Sequence, residues 1–283
     1  MICSIENSRY RLSARSTGAE LAGFADISGP AEYEYIWQRC EIWNGQSPLL
    51  FPVVGRLRDD IYRLNGVEYR MEKHGFARKL PFELESKSAD SMTFLLKENA
   101  ETLAKYPYPF ELRVAFRLTG SGFVMEHRVK NTGDSTMYFS LGAHPAFRCK
   151  MGDRVVMDEN ETAGAYRLDE NFLRAEKQLP VFDNSREIVV TEDLFINDAL
   201  IFDGLKSRGA TVQKADGRSV HVDFGGAPCL GIWARPAAEY VCIEPWYGID
   251  DSWNADHDFT RKHRILSLKA GNEFLFPVTV TAL

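Results

Sequence analysis

The sequence of 283 residues has no long hydrophobic run. Its longest uninterrupted apolar stretch is Leu49–Val54, six residues with Pro52 included, whereas a membrane-spanning helix needs about 20. The first residues, MICSIENSRYRLSARS, also lack the hydrophobic segment of a secretory signal peptide. These absences predict a protein without a membrane partner and with a cytoplasmic location.

Paired cysteines and an excess of basic charge are also missing. The five cysteines are scattered, and no two form a CxxC motif, which argues against a zinc knuckle or a thioredoxin-like site. The net charge is −6, the isoelectric point is near 5.6, and no block of five or more basic residues occurs. Because binding to a phosphate backbone needs a basic face, we expect no nucleic-acid partner.

The usual cofactor fingerprints are absent as well. The chain has no GxxxxGK[ST] loop, no GxGxxG opening a helix, no HExxH and no GxSxG. The sequence therefore predicts neither a metal nor an organic cofactor, and any catalysis must come from side chains alone.

The most frequent pattern in the sequence is an alternation of apolar and polar residues with a period of two. In Glu111–Leu118 every second residue is a large apolar one, as is typical of a half-buried strand. After a turn at Thr119–Gly122 the pattern resumes in Phe123–Lys130, with His127 on the apolar face. Similar runs are TMYFSL, Val220–Phe224, Leu230–Ala234, Tyr240–Ile243 and the C-terminal EFLFPVTVTAL. The pattern predicts an all-β protein made of short antiparallel strands.

Signals for anything other than strands are few. Lys97–Tyr106 is the best helix candidate, because good helix formers are followed by two prolines. Pro277 in the last run predicts a sheet edge or a bulge at that point. No internal repeat, low-complexity tract or Pro/Gly/Ser-rich linker divides the chain, so we expect one large β domain over residues 1–283.

Three segments place polar or charged residues among aromatics, glycines and prolines. The first combines FPVVGRLRDD with KHGFAR and offers Arg56, His74 and Arg78 as donors beside flexible glycines. In the second, SLGAHPAFRC, His144 follows an apolar strand, where an imidazole suits acid or base work near neutral pH. Each of these residues also has a plain structural interpretation, as a solvated arginine or as a core histidine bonded to backbone.

The third segment is YVCIEPWYGIDD. Glu244 is predicted to end a hydrophobic strand, where a carboxylate needs a partner and burial raises its pKa. Trp233 and Trp246 offer flat faces for a sugar ring, or simply pack in the core. One His and one Glu, with arginines and aromatics, suit proton transfer on a neutral polyhydroxyl ligand. The acidic run Gly248–Phe259 lacks the Gly and Glu positions of a calcium loop and is predicted to be a solvated loop.

These motifs, in this order, resemble the aldose 1-epimerase (galactose mutarotase-like) superfamily and most closely its LacX-type branch; they are GRLRDD, HGFAR, LGAHPAF, NDALIF, GIW and CIEPWYG. The resemblance implies a supersandwich, which is a large twisted antiparallel β-sandwich with a sugar in a cleft across one sheet and no cofactor. It implies an isomerase that interconverts the α- and β-anomers of an aldose through acid/base ring opening, as a monomer or a homodimer.

Carried over residue by residue, the resemblance implies that His144 is the general acid and Glu244 the general base. Arg56 and His74 match positions that hold sugar oxygens, and Asp198 matches an acidic residue that binds a ring hydroxyl. Trp233 matches an aromatic position. From the mechanism we expect a bell-shaped pH profile whose basic limb reports His144, with a pKa at or above about 6.5.

The identity of the sugar stays open. HGFAR is also similar to the hexose-6-phosphate branch, in which Arg78 or Arg56 would meet a phosphate. A carbohydrate-binding or sensor protein without turnover is the rival from another class, although binding alone does not need an acid/base pair. A lyase or glycoside hydrolase on the same sandwich would need a second carboxylate beside the bond.

Overall fold

The computed structural model describes all 283 residues, and antiparallel strands dominate it, which confirms the all-β prediction. In chain order the strands are β1 (Ile2–Glu6), β2 (Tyr10–Arg15), β3 (Glu20–Asp26), β4 (Tyr33–Glu34), β5 (Ile61–Leu64), β6 (Val67–Arg70), β7 (Glu83–Lys87), β8 (Ser91–Lys97), β9 (Phe110–Leu118), β10 (Gly122–Asn131), β11 (Met137–Phe139), β12 (Leu141–Gly142), β13 (Ala146–Arg148), β14 (Arg154–Ala165), β15 (Leu179–Val189), β16 (Leu200–Asp203), β17 (Gly209–Gln213), β18 (Val220–Asp223), β19 (Cys229–Trp233), β20 (Tyr240–Tyr247), β21 (Leu266–Leu268) and β22 (Glu273–Ala282).

Two large sheets organise the molecule. The larger has nine strands in the order β15-β14-β17-β18-β22-β10-β9-β8-β7. The second has the order β12-β20-β19-β16, and β13 also pairs with β20. A four-stranded sheet, β1 to β4, and two hairpin-sized pairs, β5-β6 and β11-β21, complete the fold. Side chains of both large sheets belong to one hydrophobic core that draws on the chain from Cys3 to Val280.

The period-two alternation correctly predicted the buried faces of the central strands. In β9 the buried residues are Phe110, Leu112, Val114, Phe116 and Leu118, and the residues between them are more exposed. In β10 the same holds for the face that carries His127. These two strands pair along their whole length, so their apolar rows coincide in the middle of the core.

Helical structure is as scarce as the sequence indicates. The only α-helix, α1, covers Ala100–Lys105 within the predicted segment and begins with a capping box between Asn99 and Thr102. Three 3₁₀ turns cover Arg58–Asp60, Ala77–Lys79 and Phe259–Arg261. None of these helices has the length and apolarity needed to cross a membrane.

Pro277 departs in part from its prediction. The strand that contains it, β22, is interior, because it pairs with β10 on one side and β18 on the other. The pairing with β18 ends at Thr279, however, so Pro277 lies beyond the last residue that this neighbour pairs with. The proline therefore occupies a local edge within an interior strand, which is where its missing N–H costs no ladder bond.

The buried imidazole of His127 predicts a loss of stability in acid. It is 2% exposed, its Nδ1 lies 3.2 Å from the carbonyl oxygen of Phe276, and burial lowers its pKa from 6.5 to about 4. The unfolded chain therefore takes up the proton first as pH falls, so stability present above pH 6.5 is lost on the way down to pH 4. The full difference corresponds to about 3 kcal/mol.

Urea titrations at pH 7 and pH 4 measure this contribution. We expect His127→Gln to lose markedly less unfolding free energy over that interval than the natural chain. His221→Gln, at a half-buried position on the same sheet, is the control for the removal of an imidazole outside the core. Equal acid losses in His127→Gln and the natural chain would contradict the assignment.

Candidate active site

Strand register brings the predicted acid/base pair together. The strands β12 and β13 bracket His144, and both pair with β20 in one continuous register, in which Gly142 faces Trp246. Counting along this register places His144 directly opposite Glu244, on the same face of the sheet. The Nε2 atom of His144 lies 3.1 Å from Oε2 of Glu244. Two residues a hundred positions apart are thus cross-strand neighbours.

Glu244 does not lie where the sequence indicates. It is in the middle of β20, which continues to Tyr247, rather than at the end of the strand. The prediction was wrong because Pro245 does not break this strand: its carbonyl oxygen accepts the N–H of Ala143 across the sheet at 3.1 Å. A mid-strand position holds the carboxyl more rigidly than a strand end would, since both neighbouring strands fix its backbone.

Both members of the pair are buried, and their polar atoms are incompletely paired. His144 is 8% and Glu244 1% exposed. Nδ1 of His144 has no hydrogen-bond partner, and neither does Oε2 of Glu244, although that atom lies 3.1 Å from Nε2 of His144. Unpaired buried polar atoms cost free energy, so their presence here indicates a site prepared for a ligand rather than for stability.

Burial shifts the two pKa values in opposite directions. It lowers the pKa of His144 from 6.5 to about 3 and raises that of Glu244 well above 4.5. This reverses the expectation that a nearby carboxylate would hold the histidine pKa at or above its usual value. A second proton on the pair would leave a buried positive charge, and loss of the last proton would leave a buried negative one. Both shifts favour a pair that holds a single proton, and they favour Glu244 over His144 as its carrier.

His74 lies beside this pair and keeps one ring N–H that no other protein group accepts. Its Nδ1 accepts the backbone N–H of Gly55 at 3.1 Å, and its ring centre is 6.1 Å from that of His144. Burial lowers the pKa of His74 well below 6.5, so the ring is neutral and its proton is on Nε2. The next residue, Gly75, has φ +67°, and a Cβ there would lie 2.3 Å from the carbonyl oxygen of Phe51. The HG dipeptide is thus a steric requirement of this turn.

Asp250 is a site residue that the sequence reasoning missed. It belongs to the acidic run predicted to be a solvated loop, yet it is 1% exposed, and the next residue, Asp251, is also buried. Its Oδ1 accepts the N–H of Arg56 at 2.8 Å. A Cβ on Gly55 would lie 2.3 Å from its carboxyl carbon, so only glycine permits this approach. Burial raises the pKa of Asp250.

All of the predicted site residues line one cleft with a volume of about 590 Å³. They are Arg56, His74, Arg78, His144, Asp198, Trp233 and Glu244. The cleft also contains residues that the sequence analysis did not single out, among them Trp43, Lys73, Phe172, Ile196, Arg235 and Asp250. A cavity of this size, with apolar walls and a few converging polar groups, is typical of a small-molecule site.

The charged residues of the cleft differ in how far their polar atoms are already hydrogen-bonded to other protein groups. Arg56 is committed to Asp60 through two bonds of 2.8 and 2.7 Å, so its guanidinium is less available than the sequence indicates. Arg78 donates from Nη2 to the carbonyl oxygen of Lys73 at 2.7 Å, and its Nε is buried without a partner. Asp198 accepts the N–H of Ala199 at 2.7 Å through Oδ1 and has φ +62°.

Aromatic rings form one wall of the cleft. Trp43 stacks on His144 with ring centres 5.6 Å apart, and Trp233 meets Trp43 edge-on at 5.3 Å. Trp246 is 3% exposed, so its burial favours core packing over an open stacking face, although the indole still lines the floor of the cleft. Its indole fits because two neighbouring residues of the sheet are glycines: a Cβ on Gly142 or Gly231 would lie 2.6 Å from it.

One group of side chains has the composition of a metal site. The ligand atoms of His144, Cys242 and Glu244 all lie within 4.8 Å of one another, and all three residues are buried. No sequence motif marks them, because the histidine reaches the other two only through the pairing of β12 and β13 with β20.

Known proteins share this fold and chain length. The family described as aldose 1-epimerase matches residues 1–274. Protein LacX of Lactococcus lactis, in chromosomal and plasmid forms, is 34% identical over 270 residues, which cover 89% of each chain. A solved galactose mutarotase related enzyme from Lactobacillus acidophilus is 34% identical with a TM-score of 0.94, covering 100% of this chain and 97% of that one.

A galactose mutarotase-like protein from Lactobacillus casei gives a TM-score of 0.92 at 28% identity, with the whole of both chains covered. The resemblance drawn from HGFAR, HPAF and EPWYG is thereby confirmed over nearly the whole chain. The sandwich, its cleft and its sequence relatives agree, and the chain belongs to the aldose 1-epimerase family.

Proposed function

We propose that this protein interconverts the α- and β-anomers of an aldose by acid/base ring opening at His144 and Glu244. The observation that carries the proposal is the cross-strand contact of 3.1 Å between Nε2 and Oε2 at the floor of a sugar-sized cleft. A protein that only binds sugars needs hydrogen bonds and stacking surfaces, but not two buried groups that share one proton.

The reaction needs one proton to leave and one to arrive. A base removes the proton of the anomeric hydroxyl while an acid protonates the ring oxygen, and the bond from the anomeric carbon to the ring oxygen breaks. Its electron pair stays on the ring oxygen, and the anomeric carbon becomes an aldehyde. After rotation about the bond to the second carbon, the hydroxyl closes on the other face of the carbonyl, and both protons return in reverse.

The pair supplies both functions with its single proton. Glu244 acts as base and His144 as acid in ring opening, and the two exchange roles in ring closure. Because their reacting atoms are 3.1 Å apart, the proton that rests mainly on Glu244 reaches His144 without leaving the site. Each proton transfer contributes a rate factor of about 10²–10⁴.

The other cleft residues orient the sugar. His74 offers its Nε2–H next to His144, and the carboxylate of Asp198 accepts ring hydroxyls. Trp43 and Trp233 present apolar faces to the C–H side of the ring. Asp250 holds the turn at Arg56 in place through the N–H bond.

Exchange spectroscopy of anomers by NMR tests the proposal. We expect anomer exchange of at least one free or 6-phosphorylated hexose to rise in proportion to protein concentration. The matched methyl glycoside, which cannot open, should bind without exchange. Binding of a panel of hexoses with no acceleration of any of them would leave a binding protein and overturn the proposal.

A second candidate substrate class is favoured by the charge of the cleft. Four cationic side chains line it, namely Arg56, Lys73, Arg78 and Arg235. Lys73 and Arg235 make no ion pair, and Lys73 instead lies 4.7 Å from the ring of Phe172. Free cations beside a neutral-sugar site suit a phosphate on the sixth carbon of the ring.

For this candidate we expect Arg78→Met to lower kcat/KM for the hexose 6-phosphate more than for the free hexose. The difference should be at least about tenfold, because the hydrogen bond between a guanidinium and a phosphate is charge-assisted. Lys79→Met is the matched control: it removes the neighbouring charge, but Lys79 is exposed, pairs with Glu72 and lies outside the cleft. If kcat/KM is equal for the free hexose and its 6-phosphate, and Arg78→Met shows no selective loss, phosphorylated sugars are excluded as the substrate class.

A further inference from the structure

Cys242 is a buried thiol for which the ring-opening chemistry has no use. It precedes Glu244 by two residues in β20, so both side chains lie on the same face of the sheet. Its neighbours across the sheet are Ala146 on one side and Trp233 on the other. Trp233 lines the cleft, and Cys242, with 0% exposure, lies in the same row directly beside the acid/base pair.

The three ligand atoms are close to the spacing of a tetrahedral zinc site. Zinc bonds of about 2.3 Å to sulfur and about 2.0–2.2 Å to nitrogen or oxygen set ligand–ligand distances of about 3.3–3.6 Å. Nε2 of His144 and Oε2 of Glu244 are 3.1 Å apart, and all pairs in the group lie within 4.8 Å. Each pair is therefore at most about 1.5 Å beyond the tetrahedral spacing, a gap that small side-chain shifts close.

The chemistry of the group also fits such an ion. A nitrogen, a sulfur and an oxygen ligand form a set that Zn²⁺ binds, with the fourth position left for water. Oε2 of Glu244 has no hydrogen-bond partner, so it is free to become a ligand. On binding, the thiol proton and the proton held by the pair pass to solvent, and the ion replaces them with its own charge.

We propose that His144, Cys242 and Glu244 form a binding site for Zn²⁺ or a similar divalent ion, and that the ion inhibits the protein by occupying the acid/base pair. Lone pairs of Nε2 and Oε2 that are donated to a metal cannot accept the proton of an anomeric hydroxyl. Binding of the ion does not depend on the proposed epimerase function, whereas inhibition rests on it. The two parts therefore need separate readouts.

Cobalt absorption spectra test the binding without any assay of activity. Experiments use Cys40→Ser protein, which lacks the exposed thiol, in a non-thiol reductant. With Co²⁺ we expect a thiolate-to-metal charge-transfer band and the intense visible bands of a four-coordinate ion, both displaced by Zn²⁺. Further replacement of Cys242 with Ala should abolish the charge-transfer band. Cys3→Ala, a buried cysteine of the core in β1, is the matched control and should keep it.

Anomer exchange in the presence of Zn²⁺ tests the inhibition. Each variant is compared with its own metal-free rate, and Cys242→Ala should need at least about tenfold more Zn²⁺ for half inhibition than Cys3→Ala. A charge-transfer band that survives in Cys242→Ala, or the absence of any band in the parent, overturns the site. Cobalt binding through Cys242 with unchanged exchange rates would keep the site and reject inhibition. If the protein accelerates anomer exchange of no sugar, the proposed epimerase function is rejected. The cobalt spectrum then still shows whether His144, Cys242 and Glu244 bind a metal ion.

Discussion

Glu244→Gln is expected to slow anomer exchange at least about a hundredfold while the protein stays folded. Glutamine has the size of the carboxyl and cannot take up or release the proton, so one of two proton transfers is lost. The site should tolerate the change, because burial raises the pKa of Glu244 and so favours its uncharged form. Polarimetry or NMR exchange measures the rate, and circular dichroism checks the fold.

The control for this prediction is another buried glutamate. Glu161 is 2% exposed, accepts the N–H of Ser207 at 2.7 Å and lies outside the cleft. Glu161→Gln should affect stability but leave the exchange rate per folded molecule unchanged. If Glu244→Gln retained near-normal turnover, Glu244 would not be the base.

The His144→Asn variant and the double variant show whether the two residues act as a unit. Each single change removes one end of a shared proton transfer, so the second change should cost much less than the first. Strictly additive losses would indicate two independent contributions. A double variant no slower than either single one supports a pair that works only when complete.

Alternation in the sequence predicts the sheets well because it is a local property. In β9 and β10 each apolar position is set by whether its side chain faces the core, and neighbouring residues carry that information. The helix at α1 is likewise indicated by its own residues and the prolines after them. The extent of the chain as one domain stays a prediction.

The assembled site was less predictable because it depends on register between distant strands. His144 lies in a gap between two very short strands, β12 and β13, and nothing in SLGAHPAF specifies which residue of β20 it faces. Only the pairing on both sides of the gap fixes its contact with Glu244. The family resemblance supplied the pair as a hypothesis, whereas the residues alone indicated two separate candidates.

Asp250 shows why a polar run can mislead. The segment GIDDSWNADHDF has the composition of a solvated loop, and its later residues, such as Trp253, are indeed exposed. The burial of Asp250 is created by the bare backbone of Gly55 and the amide of Arg56, almost two hundred residues earlier. No local signal marks that approach, although the glycine preceding an arginine was available as a hint.

The pH profile of kcat/KM is expected to be a broad plateau through neutral pH, rather than a bell with a basic limb near 6.5. The active form holds one proton on the pair, and burial opposes both the second proton and the loss of the first. The acidic limb should therefore lie near the lowered pKa of His144, about 3, and the basic limb well above the usual 4.5 of Glu244.

The residue that each limb reports is also reversed. In the simple acid/base scheme the basic limb reports His144, whereas here it reports Glu244. Because Glu244 already carries the resting proton, the second proton at low pH goes to His144, so His144→Asn should remove the acidic limb from the residual activity. Glu244→Gln should remove the basic limb, since no carboxyl is left to lose a proton. Rates are corrected for spontaneous exchange, and the circular dichroism spectrum at each pH must match that at pH 7, which separates titration from acid unfolding. A basic limb near 6.5 that disappears in His144→Asn would place the resting proton on the histidine and contradict this account.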